Sequence, residues 1–339
     1  MKKVGLILIF GIMFLVGGFG VVSGSGLLWS LESDGSWDAE TVSMGDYGSQ
    51  VFTDFGIPQN HYQLFSSYDR LNSPVPIFDY GVNELNYIRK VDSSKNSDVH
   101  AGIYGNYTDD TYTLLNLVVK KFHSSSTVPD WEYILPGFYG ATTKRHLWGI
   151  FVSDDGELVI AWRYVASGMK INYFVFDSSD GSLLKEDYID SFGETSYYDF
   201  SEDGSTAIFR SQLKIVIADI MSGSVIYSQF LPGFLSSPVS LNYDGSRAVY
   251  SKDNIIVLER QGAVYNLLTT INEPLDNSLY VRSVSLSEEG DRLVYALLDV
   301  TNTEGSIKAI DLENDNQETM RYDYDIPGIW INPVNHISM

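Results

Sequence analysis

A four-residue phrase recurs along the chain: Ser153-Asp154-Asp155-Gly156, Ser201-Glu202-Asp203-Gly204, Asn242-Tyr243-Asp244-Gly245 and Ser287-Glu288-Glu289-Gly290, each between two short apolar runs. Their glycines lie 48, 41 and 45 residues apart. A tight hairpin needs positive φ, which Gly adopts without steric penalty and Asp tolerates better than most residues. Each phrase therefore predicts an antiparallel hairpin, and the even spacing predicts one supersecondary unit used repeatedly.

The flanking segments alternate apolar with polar or small residues, the period of strands rather than helices. In the third unit they span 148–152, 157–164, 171–177 and 182–189; in the fourth, 197–200, 206–210, 214–219 and 224–230. A second signature sits in phase between the third and fourth strands. It is Asp-x-x-x-Gly, from Asp177 to Gly181 and from Asp219 to Gly223. A third marker, Pro136-Gly137, Pro232-Gly233 and Pro327-Gly328, closes fourth strands, and its glycines are 96 and 95 residues apart, two units each.

These markers place the diverged units. Fourth strands are expected at 27–31, 75–80, 131–135, 225–230 and 320–326. The first unit takes 39–44, a turn at Asp46-Tyr47-Gly48, 50–53 and 62–65. The second takes 86–91, a turn around Asn96, 99–104 and 112–119. Four antiparallel strands per unit, with hairpins anchored at 48, 96, 156, 204, 245 and 290, predict an all-β fold, a β-propeller covering 27–339.

A fourth strand at 27–31 precedes any first strand, the order expected when an N-terminal strand completes the last blade. At the other end Ile337-Ser338-Met339 aligns with Val284-Ser285-Leu286, just before the sixth hairpin. Seven blades are thus expected, the last incomplete. Either a longer protein continues beyond 339 or the sheet ring is open, and an open blade exposes strand edges.

Residues 1–24 stand apart. Lys2 and Lys3 precede an uncharged run at 4–22 that ends in small residues, the pattern of a secretory signal. The run also approaches the ~20 residues that span a bilayer, so an uncleaved membrane tether through residues 4–22 is the rival reading. Both place the rest of the protein outside the cytoplasm.

The 339 residues include no Cys, so neither a disulfide nor a lipoprotein anchor supports the exported domain, and stability must come from buried surface and strand ladders. Aromatic residues supply 14% of the sequence, including 23 Tyr, and suit interfaces between packed sheets. The net charge is −22, which repels nucleic acid and anionic lipid, so neither is an expected partner. Clustered carboxylates can hold extracellular Ca²⁺ weakly, but no segment has the spacing of an EF-hand loop, and no cofactor is expected.

With its Asp-Gly hairpins and Asp-x-x-x-Gly turns, the sequence resembles the broad WD-repeat-like and quinoprotein-like (YVTN-type) β-propellers. Leu28-Trp29-Ser30-Leu31 followed by Asp34-Gly35 looks like the fourth strand of extracytoplasmic prokaryotic propellers. The resemblance implies architecture rather than one family: the Gly-His and Trp-Asp pairs of true WD repeats are absent. Quinone-dependent propellers would imply a docking Trp after the last turn of each blade. Here the equivalent positions read Leu183-Leu184-Lys185 and Val225-Ile226-Tyr227, so a quinone is not expected. Sialidase-type propellers imply a Ser-x-Asp-x-Gly-x-Thr-Trp box, which Ser201-Glu202-Asp203-Gly204-Ser205-Thr206 does not complete.

Concentrated chemistry is missing from the sequence. The five His, at 61, 100, 123, 146 and 336, are all more than five residues apart, which excludes a local His-x-x-x-His metal site. Acidic pairs such as Asp109-Asp110, Asp154-Asp155 and Glu288-Glu289 lie in turns, and no catalytic, cofactor or metal residue is assigned. The basic cluster Lys144-Arg145-His146 before Trp148 is the candidate binding patch, and Asn106-Tyr107-Thr108 is a glycosylation sequon at Asn106. The expected function is a non-catalytic extracytoplasmic module that binds or scaffolds a protein or glycan. The alternatives are a propeller hydrolase or lyase acting on polysaccharide, and a structural cell-envelope component.

Overall fold

A computed structural model describes residues 38–44, 50–57, 62–69, 76–82, 86–96, 98–107, 114–123, 126, 128–136, 148–211, 213–231, 238–273, 275, 279–299 and 304–325. Side chains are described from residue 90 onward, apart from 106, 107, 114, 115, 196, 324 and 325. The leader, the expected strand at 27–31 and the segment 329–339 lie outside the described residues.

The described residues form six four-stranded antiparallel sheets in sequence order. The first contains β1 (Asp38–Met44), β2 (Gln50–Ile57), β3 (Tyr62–Asp69) and β4 (Pro76–Val82); the second, β5 (Asn86–Ser93), β6 (Val99–Tyr107), β7 (Leu114–His123) and β8 (Trp131–Ile134). The third contains β9 (Trp148–Val152), β10 (Leu158–Val165), β11 (Lys170–Asp177) and β12 (Leu183–Asp190). In the fourth are β13 (Thr195–Phe200), β14 (Thr206–Ser211), β15 (Lys214–Asp219) and β16 (Val225–Phe230). The fifth has β17 (Val239–Leu241), β18 (Arg247–Ser251), β19 (Ile255–Gln261) and β20 (Val264–Ile271); the sixth, β21 (Leu279–Leu286), β22 (Arg292–Asp299), β23 (Glu304–Asp311) and β24 (Gln317–Asp325). Every sheet is a plain meander in which each strand pairs with the next. The predicted strands of the third and fourth units agree with these bounds to within a residue or two. The expected seventh blade falls on segments that are not described.

Two compact units are recognised, Met1–Arg163 with Tyr173–Glu186 and Tyr164–Asn172 with Asp187–Met339, the boundary passing through the third sheet. In each unit consecutive sheets lie with their first strands side by side: β1, β5 and β9 in one, β13, β17 and β21 in the other. Middle strands are covered on both faces, which is why β14 is buried at every position while β16 alternates. In the second unit, Ile208 and Ile217 pack with Ala248 and Leu258 between the fourth and fifth sheets. Val249 and Val257 pack with Leu293 and Leu297 between the fifth and sixth.

The recurring phrase acts twice. Within its own sheet, the Ser201 hydroxyl donates to Asp203 Oδ1 at 2.6 Å and accepts from the Thr206 N–H at 2.9 Å, while Asp203 Oδ1 accepts from the Ser205 N–H. Ser153 and Asp155 repeat this arrangement, and Asn242 with Asp244 vary it. Glu289 stands where the other phrases have Asp, and in the sixth sheet the Ser287 hydroxyl turns to Asp291 instead. The phrase also joins neighbouring sheets. Gly245 has φ +64, and a Cβ there would lie 2.7 Å from the Thr206 side chain of the preceding sheet. Gly156 is similarly closed in by Val99, and Gly290 by Arg247. A residue two positions before the phrase accepts the backbone N–H of the next first strand, Asp199 from Leu241 at 2.8 Å and Ser240 from Leu286 at 3.3 Å, and Asp92, two positions before Ser94 in the second hairpin, does the same with Val152 at 2.8 Å.

One tryptophan does join two sheets: Trp131 opens β8 and donates its indole N–H to the Ser178 carbonyl at 2.9 Å. Its ring packs on Phe176 with centroids 5.5 Å apart. The sheets on either side of Trp131 are thereby pinned through one side chain.

Candidate functional site

Four turn carboxylates are bonded within their own turns. Asp155, Asp203 and Asp244 accept from backbone N–H groups within their own hairpins. Asp177 accepts from Ser179, through its hydroxyl first and its N–H second, and these bonds hold the Asp177 carboxyl below its ordinary pKa. Such groups shape loops. His100 is fully buried in β6, stacked near Phe122 at 6.3 Å.

Of the sequence-predicted patch, only Trp148 is among the described residues. Lys144, Arg145 and His146 lie outside the described residues. Trp148 begins β9 and is 1% exposed, so its indole belongs to the core and cannot itself meet a partner. Asn106 pairs with Asn86 and Asn116 in the ladders of β6, and its side chain is outside the described set.

The second unit carries a different cluster, on the connections that enter β11, β13 and β15. A single 3-10 turn, Ala166–Gly168, ends at Met169, which takes left-handed backbone angles, φ 50 and ψ 45. Between β12 and β13, Phe192 does the same at φ 55, and Gly193 follows at φ 138. Non-glycine residues pay about 1–2 kcal/mol for this conformation, so two bulky examples side by side need support. The Met169 carbonyl provides it by accepting three bonds: from the Ser191 N–H at 2.9 Å, the Phe192 N–H at 3.2 Å and the Ser191 hydroxyl at 2.9 Å.

Below this junction the polar groups are buried and bonded. Ser211 donates its hydroxyl to the Ser191 carbonyl and accepts from the Lys214 N–H. The Arg210 guanidinium, 2% exposed, donates to the carbonyls of Ser211 and Leu231. Burial pulls its pKa below the ordinary arginine value, with Tyr250 acting in the opposite sense. A buried cation bonded to carbonyls fixes loop positions more than it offers chemistry.

Above the junction the exposed groups are large and apolar. Met169 is 55% exposed, Phe192 49% and Leu213 39%. Lys214 holds its ammonium 4.8 Å from the centre of the Phe192 ring, within cation–π range. Lys170 pairs with Asp190 at 3.6 Å, both side chains well exposed. Exposed apolar side chains on rigidly held loops make a contact platform. Sequence reasoning missed it because Ala166-Ser167-Gly168 and Ser191-Phe192-Gly193 read as plain loops. The available signal was a large apolar residue directly beside a loop glycine.

Comparison with known proteins bears on the fold. No protein-family profile matches the sequence, and no curated protein matches it either. Among solved structures it is similar to the β-propeller domain of Cps50 (Swd1) from Myceliophteria thermophila, with 10% identity and a TM-score of 0.55 over 84% of this protein and 85% of that one. The protein has a β-propeller fold. A structure of the mitotic checkpoint complex contains another similar polypeptide, at 12% identity and a TM-score of 0.51, over 79% of this propeller and 75% of that polypeptide. At such identities the likeness concerns the propeller's architecture alone, and the platform at Met169 and Phe192 has to be judged on its own geometry.

Proposed function

We propose that this propeller is a non-catalytic binding module that engages a protein through the platform formed by Met169, Phe192 and Leu213. One observation carries the reading: two large apolar side chains project from left-handed backbone positions and remain half exposed. Glycine would relieve the strain at both positions, and exposure forfeits much of the burial that could compensate for it. Stability of the isolated fold gives no reason to keep Met and Phe there; contact with another molecule does. One of the solved structures that share this fold is of a protein assembly, the mitotic checkpoint complex.

A glycan partner would call for hydroxyl-bonding groups beside the ring. The Ser191 and Ser211 hydroxyls instead point into the fold and bond to carbonyls, which favours protein. The leader pattern at 1–24 supports export, with the platform acting outside the cytoplasm. A polysaccharide hydrolase would need paired carboxylates facing one sugar, whereas Asp190, on this cluster, is engaged with Lys170.

The test compares the full-length protein with a Met169→Gly/Phe192→Gly variant as baits in extracts of the source cells, with quantitative mass spectrometry as the readout. The variant is expected to unfold at the same temperature or higher and to lose proteins that the unchanged bait retains. Equal retention by both baits, with the variant folded, would remove the platform from the function.

A further inference from the structure

Lys214 gives the platform a chemical preference. In the whole sequence Asp and Glu outnumber Lys and Arg by 44 to 22, so a cation near the surface usually finds a carboxylate: Lys121 has Asp130, Lys170 has Asp190, Arg247 has Glu259 and Glu313, and Lys308 has Glu273. Among the described residues no carboxylate lies within ion-pair distance of the Lys214 Nζ, which instead sits over the Phe192 ring. The backbone of Lys214 is anchored by its N–H, which donates to Ser211 Oγ at 3.1 Å. The ammonium thus sits over the Phe192 ring, beside exposed apolar groups and without a counter-ion among the described residues.

We infer that the platform recognises a protein segment in which a carboxylate, from Asp, Glu or a polypeptide's C-terminal end, adjoins a large apolar side chain. The carboxylate accepts from the Lys214 ammonium, and the apolar group covers Met169 and Phe192. This inference rests on the platform being the docking surface. The fit is one of charge complementarity. An ammonium half withdrawn from water by an aromatic face gains most from a partner that completes its desolvation with opposite charge, and charge-assisted bonds are about twice as strong as neutral ones. The high negative charge of the protein does not oppose this at short range, because at physiological ionic strength fields from charges more than about 8 Å away are largely screened.

The experiment pans a phage-displayed library of random dodecapeptides against the full-length protein, with counter-selection on folded Phe192→Gly protein. The enriched peptides are then synthesised with each Asp or Glu changed to Asn or Gln. Enriched sequences are expected to share an acidic residue next to an aromatic or aliphatic one. Affinity should fall about tenfold or more on amidation of that residue and equally on Lys214→Met, which keeps the stem over Phe192 but removes the charge; Lys214→Arg should restore most of it. Peptides that depend on Phe192 but have no acidic requirement, or that bind Lys214→Met unchanged, would overturn the carboxylate inference and leave the docking platform standing. Enrichment of no Phe192-dependent peptide would overturn both.

Discussion

The indole of Trp131 lies against Gly181, so closely that a Cβ on Gly181 would sit 2.7 Å from the ring. Gly181 also has φ +74, so the position excludes side chains for two separate reasons. Gly181→Ala is expected to destabilise the protein by about 2–4 kcal/mol, the clash and the backbone strain together. In a Trp131→Ala background only the strain of about 1 kcal/mol remains. Urea unfolding of the four proteins gives the coupling directly, and additive effects would show that the ring does not confine Gly181.

The hairpin serines differ in burial, and their contributions should differ accordingly. Ser201 is fully buried and serves both Asp203 and the Thr206 N–H. Ser201→Ala leaves that N–H without a partner, and a loss of about 1–3 kcal/mol is expected. Ser287 makes the same bond to the Arg292 N–H nearer to solvent, where water can substitute, so Ser287→Ala should cost less. Denaturation midpoints of the two variants, measured side by side, check the order.

Between the fifth and sixth sheets Glu273 accepts from both Lys308 and Tyr295 at 2.6 Å. Removing one member leaves the other in a poorly hydrated place without its closest partner, Lys308 keeping only the more distant Glu318 at 3.9 Å, and breaking such a pair typically costs up to about 3–5 kcal/mol. Glu273→Leu and Lys308→Met should each fall near that range, while the double variant should recover much of it. A double-mutant cycle by chemical denaturation measures the difference; a double variant as unstable as the sum of the singles would contradict the pairing.

Alkaline pH should unfold the protein through its buried tyrosines. Burial pushes Tyr295 well above the usual phenol range, reinforced by Glu273; burial does the same for Tyr250, reinforced by Tyr227, and it is also the main cause at Tyr265. In the unfolded state these phenols ionise near their ordinary value of 10.0, so above it the unfolded state releases protons that the folded state retains. Stability is then fully present below pH ~10 and declines as pH rises, by about 1.4 kcal/mol per pH unit for each tyrosine still protonated in the fold. Tyr250→Phe should make this decline shallower in urea titrations at successive pH values above about 9.

The strand layout was legible because it depends on local chemistry. Asp177 to Gly181 and Ser201 to Gly204 close their loops with their own side chains and a left-handed glycine, and a residue pattern of this kind is visible without knowing the neighbours. The burial of Trp148 was less accessible to such reasoning. Trp148 looked available beside a basic cluster, yet its position on a first strand packed within the unit leaves it 1% exposed. Trp131 had no visible partner in sequence, since Ser178 lies 47 positions away.

By itself the sequence determined that the protein is all β, where its hairpins fall and which residues turn them, because those choices are made over four or five residues by φ preference, side-chain hydrogen bonds and apolar alternation. Only the tertiary structure decided which glycines are also packing contacts, which carboxylates are consumed by backbone N–H groups, and that Met169, Phe192 and Lys214 meet at one surface. Those outcomes depend on loops separated by tens of residues being carried together. No spacing rule records that convergence, because the strands between the loops set their distance apart in space.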